Sequence, residues 1–167
     1  MSERRPYLVR PGERTPVWSL GGHFSSKAGT QDTLGGYALV EAVATRLTEP
    51  PLHVHHREDE FSIVLEGEIG FRSEDKEIVL GPGGYIVKPR GEVHAMWNAG
   101  LTPARMIEII SPAGFEELFR TVVDLTERGE AEMSKLVELA NRYEVPMAEP
   151  EWFADVIERY QLSMPTP

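Results

Sequence analysis

The 167-residue chain contains no cysteine. Disulfides, thiolate-held zinc and cysteine nucleophiles are therefore excluded. No window approaches the ~20 apolar residues that span a bilayer, so no membrane partner is expected. The charged start MSERRPYLVRPGERTP has no apolar stretch behind it, so no secretory signal is expected and the chain reads as cytoplasmic. Basic residues are also in short supply, 17 Lys and Arg against 27 Asp and Glu, for a net charge of −10. That argues against binding a phosphate backbone, which clustered Lys and Arg drive. The length suits one domain with a real core and is too short for two ordinary ones.

What the chain does have is histidine and carboxylate packed into one stretch, PPLHVHHREDEFSIVLEG, from Pro50 to Gly67. In an extended strand, side chains at i and i+2 share a face. His53 and His55 then point the same way, and a turn brings Glu60 back beside them at the start of an apolar run. Two imidazoles and a carboxylate on one face make most of a metal site. The remaining donor lies downstream in GGYIVKPRGEVHAMWN, where His94 completes a His3Glu set if its strand pairs beside the first. Burying such a group without a cation would be costly. The donors are nitrogen and oxygen only, which suits one divalent transition metal, Fe, Mn, Ni, Co, Cu or Zn, without choosing among them. Four protein ligands leave one or two positions open for chemistry.

The spacing His53-x-His55-x4-Glu60-x6-Gly67 resembles the first motif of the cupin superfamily, and Gly83-x5-Pro89-x-Gly91-x2-His94-x3-Asn98 resembles its second. The first motif ordinarily opens on a glycine, whose place Leu47 holds here. The run from Gly36 to Phe119 is similar to the small single-domain cupins grouped with quercetin 2,3-dioxygenase. The resemblance implies an all-β cupin jelly-roll barrel, with a metal held by His53, His55, Glu60 and His94. It implies a dioxygenase that cleaves a small enolic or aromatic substrate with O2, and a second role for Glu60 as general base for the substrate hydroxyl. A carboxylate beside a cation normally has a low pKa, so that role needs Glu60 desolvated or weakly coordinated. The same scaffold serves non-catalytic metal or small-molecule binders and oxygen-independent isomerases or cyclases, which remain the alternatives.

The rest of the chain reads in the same terms. Residues 1–16 are expected to form a surface arm, and Val17–Leu20 and Gly22–Ser26 short strands or a hairpin. Gly36–Leu47 reads as strand from its Gly and Pro flanks. Strand signals follow at 53–55, 60–71, 77–80, 84–88, 93–98 and 104–110, with a hairpin tip at Glu74-Asp75, and no long helical pattern supports a parallel βαβ layout. Ser111-Pro112 reads as a helix start. Three apolar stripes follow at helical spacing: Phe115, Leu118, Phe119 and Val122; Met133, Leu136, Val137, Ala140 and Tyr143; Trp152, Phe153, Val156, Ile157 and Tyr160. The expected division is a barrel with its arm over residues 1–111 and helices over 112–167 that pack on the barrel or a dimer interface, or of which one closes the barrel mouth as a lid.

Alternation assigns the pocket. With Glu60 inward, Ser62 and Val64 face in while Phe61, Ile63 and Leu65 face out. With His94 inward, Met96 follows and Ala95 and Trp97 turn away. Ser62, Val64, Met96 and Met106 are then the expected substrate-binding residues, with Ile110 as an alternative to Met106, in a mainly apolar pocket. His56 is expected to face solvent or support the ligands, His23 to be structural, and Glu58 and Asp59 to be surface carboxylates. The outward apolar residues and the helical stripes predict a homodimer.

Overall fold

The structure, a computed structural model, describes residues 8–10, 13, 17–19, 22–45, 53–146, 148 and 150–162. Most of the expected arm, and Leu47, lie outside the described residues. The strands are β1 (Val17–Ser19), β2 (Gly22–Ala28), β3 (Ala38–Ala44), β4 (Asp59–Glu66), β5 (Ile69–Ser73), β6 (Lys76–Leu80), β7 (Tyr85–Lys88), β8 (His94–Asn98) and β9 (Ala104–Ser111). A single turn, α1 (Thr30–Thr33), sits between β2 and β3, and α2 (Glu116–Glu127), α3 (Met133–Arg142) and α4 (Trp152–Tyr160) follow the last strand. A six-stranded sheet in the order β1-β2-β3-β9-β4-β7 faces a three-stranded sheet in the order β6-β5-β8. Every strand pair is antiparallel. This is the expected all-β jelly roll with a helical extension.

Alternation organises the interior. Glu60, Ser62 and Val64 of β4 are buried while Phe61 is exposed, and Ala104, Met106, Glu108 and Ile110 of β9 are buried at every second position. The register then stacks the inside in layers: Val64 opposite Met106, Ser62 opposite Glu108, Glu60 opposite Ile110. One end is a packed apolar floor of Ala42, Val64, Ile69, Ile86, Ala104 and Met106. The other end is closed by Ala38, Val40, Ile110, Ala113, Phe115 and Val145. Between them lies a polar band. Outside the barrel, α4 lays Phe153 and Val156 on Ala95 and Trp97 of β8, so those two residues do turn away from the interior.

Several expected boundaries move, for physical reasons. The run 60–71 is two strands, because Gly67 takes a left-handed φ of +73° and an added Cβ there would lie 2.7 Å from Ala104 Cα. Only glycine makes that turn cheaply. Residues 53–55 do not form a strand; His53 makes an isolated bridge to His94. The helix expected to start at Ser111-Pro112 starts instead at Glu116: Ser111 remains in β9 and its hydroxyl donates to Gly36 O at 2.9 Å. The buried Glu116 carboxylate accepts hydrogen bonds from Gly114 N, Thr30 N and Thr30 Oγ1 at 2.6–2.7 Å, which fixes the turn before α2 to α1. On α3 the stripe is rotated, since Leu139 is buried while Met133 and Val137 are exposed. The hairpin tip at Glu74-Asp75 is where expected, with Ser73 opposite Lys76.

Candidate metal centre

His53 and His55 flank Val54 on an extended segment that two other parts of the chain hold in place. Val54 N donates to Pro146 O at 3.2 Å and His56 N to Glu144 O at 3.1 Å, so the residues after α3 run beside the histidines. Gly91 N donates to His55 O at 2.7 Å, tying the second motif to the first through a turn in which Gly91 has φ +84°. Phe115 packs edge-on against the His55 ring, 4.5 Å between centroids. A second clasp lies outside: Arg90 donates three hydrogen bonds to the Asp59 carboxylate at 2.8–3.0 Å. Those bonds hold the Asp59 pKa down at about 2.

These supports bring the four candidate donors around one carboxylate. Glu60 Oε1 lies 3.3 Å from His55 Nε2, and Glu60 Oε2 lies 3.3 Å from His94 Nε2. His53, Glu60 and His94 each present a donor atom within 4.8 Å of the others, the compact set found among the described residues. His55 joins from the opposite carboxylate oxygen, its ring 4.7 Å from that of His53 and 6.1 Å from that of His94.

The far side of each ring fixes its protons. His55 Nδ1 is 3.2 Å from Glu58 Oε2, and His94 Nδ1 is 3.0 Å from the carbonyl of Glu92. Both partners only accept, so each Nδ1 carries a hydrogen and each ring turns its Nε2 toward Glu60. The buried His55 Nε2 has no hydrogen-bond partner at all. Imidazole nitrogens converging on a buried carboxylate suit a cation, and an outer carboxylate or carbonyl behind each imidazole is how metal-ligating histidines are oriented. Glu58, expected at the surface, is 1% exposed and is one of these supports. Its position three residues after His55 was the available signal. His56 and His23 are exposed.

The wall beside the carboxylate is polar, where an apolar one was expected. Lys88, opposite Glu60 in the β4–β7 pairing, is 2% exposed. Its ammonium lies 3.1 Å from Glu60 Oε2 and 2.9 Å from Glu108 Oε2, and Ser62 Oγ donates to Glu108 Oε1 at 2.8 Å. Burial pushes the Glu60 carboxyl up, but the Lys88 charge and the imidazoles outweigh it and hold Glu60 well below the usual carboxylate range. Burial and the Glu60 charge push Glu108 up despite Lys88. Burial would lower Lys88, but Glu108 and Glu60 keep it above its ordinary value. Of the expected pocket residues, Ser62 and Met96 border this polar chain, whereas Val64 and Met106 lie in the packed floor. Alternation carried a signal for both missed groups: Lys88 shares a face with Ile86, and Glu108 sits between Met106 and Ile110. Asn98 serves the fold, donating to Ala44 O and Thr102 O and accepting from Gly100 N.

Comparison with known proteins bears on the same residues. Residues 40–110 match the family model described as Cupin domain. Quercetin 2,3-dioxygenase of Bacillus subtilis (strain 168) is 25% identical over 119 residues, 71% of this chain and 35% of that protein, so the chain spans about a third of its length. KdgF from Halomonas sp. superposes with a TM-score of 0.57 at 20% identity, over 67% of this chain and 99% of that one. The polyketide cyclase RemF from Streptomyces resistomycificus superposes with a TM-score of 0.56 at 24% identity, over 64% and 80%. At those identities the two structures share a fold with this chain. With the jelly roll in place and both histidine motifs converging inside it, residues 40–110 match the cupin domain and the strands around them take its fold.

Proposed function

We propose that this cupin is a metal-dependent dioxygenase of the quercetinase-like type, cleaving a small enolic or aromatic substrate with O2. One divalent transition metal, Fe, Mn, Ni, Co, Cu or Zn, would be held by His53, His55, Glu60 and His94. The observation that supports the metal is the pair of Nε2 atoms, on His55 and His94, each 3.3 Å from the buried Glu60 carboxylate while its Nδ1 faces an acceptor. The choice of dioxygenase chemistry rests on the likeness to the Bacillus subtilis enzyme. When bound, the metal supplies Lewis acidity and a redox partner for dioxygen.

The chain's own residues would do the rest. Glu60 is ionised and can accept the proton of a substrate hydroxyl. Lys88 and the imidazoles weaken it as a base, so the transfer suits an acidic enol or phenol better than an alcohol. Ser62 and Met96 would border the substrate, with Val64 and Met106 beneath it. The test is oxygen uptake by protein reconstituted with each metal, over a panel of flavonols and other enolic aromatics. Uptake matched to substrate loss is expected, and Glu60→Gln should abolish it. No uptake under any metal would sink the dioxygenase reading.

An oxygen-independent isomerase or cyclase has one observation in its favour: the Lys88–Glu108 pair sets a protonated amine and a raised-pKa carboxyl beside the metal ligands. Turnover under argon would establish it, and tight binding without turnover would favour a non-catalytic binder. We further propose a homodimer through the outer face of β4 and β7, where Phe61 pairs with Val87 and Ile63 with Tyr85, and Tyr85 is 71% exposed. Light scattering that finds a monomer at micromolar concentration would count against it.

A further inference from the structure

The Lys88 ammonium has three hydrogens to place. Glu108 and Glu60 take two of them, at 2.9 and 3.1 Å. The remaining neighbour is the thioether sulfur of Met96 at 3.7 Å, a weak acceptor. Ser62 lies beside the same sulfur. Its one hydrogen goes to Glu108 Oε1 at 2.8 Å, and its oxygen also touches Met96 Sδ at 3.4 Å. The third Lys88 hydrogen is thus left with a sulfur that satisfies it poorly. Methionine is the most deformable of apolar side chains, and Met96 is only half buried.

The charges point the same way. A divalent cation and the Lys88 ammonium bring three positive charges into the barrel, and Glu60 and Glu108 offset at most two. A carboxylate that turns to a cation also gives up part of its contact with Lys88. An uncompensated charge away from water is expensive, and one anionic oxygen beside Lys88 removes the imbalance.

We propose that Lys88, with Ser62 beside it, forms a subsite for an anionic oxygen of the substrate, an enolate or carboxylate, which displaces the Met96 thioether. The substrate is then a small acid that presents oxygens to both the metal and the ammonium. This rests on the metal reading of the site and not on the dioxygenase reading.

The probe is tropolone, a small acidic enolone with adjacent oxygens, with tropone as the neutral counterpart. Affinities are measured by calorimetry on zinc-loaded protein at fixed neutral pH, with zinc content and circular dichroism recorded on the same samples. Lys88→Met is expected to weaken tropolonate binding tenfold or more while zinc content and tropone affinity stay unchanged. Lys88→Arg should stay within a few-fold of wild type, and Met96→Ala should tighten binding. Because Lys88→Met strands Glu108, the charge-balanced double variant Lys88→Met/Glu108→Gln is measured alongside it and should show the same selective loss. Wild-type protein that binds zinc but not tropolonate overturns the proposal, as does equal affinity in wild type and the double variant. Failure to take up zinc overturns both this subsite and the metal reading. Tropolonate binding that needs Lys88, with no oxygen uptake on any enol, leaves the subsite standing and removes the dioxygenase.

Discussion

Glu58 offers the sharpest test of the metal centre, because it touches no substrate and is not a proposed ligand. Its Oε2 lies 3.2 Å from His55 Nδ1, and both residues are 1% exposed. Glu58→Gln keeps the length and one accepting oxygen, loses the charge that makes the imidazole a better donor, and puts an amide NH2 in place of the other oxygen. Metal affinity should fall about tenfold, which is about 1.4 kcal/mol, at the mild end of what outer-shell changes cost. Glu58→Ala goes further. The His55 Nδ1–H is left buried without an acceptor, at about 1–3 kcal/mol of stability, and the ring is free to turn. Affinity there should fall toward about 100-fold. Competition for zinc against a chelating dye at neutral pH measures the affinities, and thermal melts of metal-free protein separate them from the loss of stability. If Glu58→Ala holds zinc as tightly as wild type, the carboxylate does not set the ring.

Three other outcomes follow from the geometry. An added Cβ at Gly70 would run into the Trp97 ring, so Gly70→Ala should cost about 1–3 kcal/mol as overpacking, read by urea denaturation; an unchanged midpoint would mean the strand yields freely. Glu77, hydrogen-bonded to Arg159 of α4 at 2.7–2.8 Å and also paired with Arg72, is held below the usual carboxylate range mainly by the Arg159 hydrogen bonds. Its contribution to stability is therefore full above the unfolded carboxyl pKa of roughly 4.3 and is lost as pH falls through the lower folded value. The acid limb of a melting-temperature profile should be flatter in Glu77→Gln, and an unaltered slope would refute the link. Finally, metal at about 100 times its dissociation constant should add about 2.7 kcal/mol, so calorimetry with and without chelator should show a clear shift in melting temperature, and none would argue against a site.

Much of the centre was legible because strand alternation and the i, i+2 rule are local. His53, His55 and Glu60 needed only a turn to meet, and the outward set Phe61, Ile63 and Leu65 followed from the inward one. His94 was legible as the lone histidine of its own segment, and it reaches the others through the antiparallel pairing of β8. What escaped was charge on the inward face. Lys88 and Glu108 obey the same alternation as Ile86 and Met106, but charged residues are almost never buried unless paired, and the partner of each lay on a different strand. The helical tail was readable as helices from its periodicity, yet the rotation of α3 was not, since a stripe shows that a face is covered and not by what.

The two hydrogen bonds from Val54 and His56 to the residues after α3 bear on how the protein is made. The segment carrying the first two histidines leaves the ribosome well before Glu144 and Pro146, whose carbonyls help brace it. A nascent chain with β1 to β9 emerged would hold those imidazoles through Gly91, His94 and the Asp59–Arg90 clasp. A barrel cut off after β9 would lack both bonds and hold the two rings less firmly.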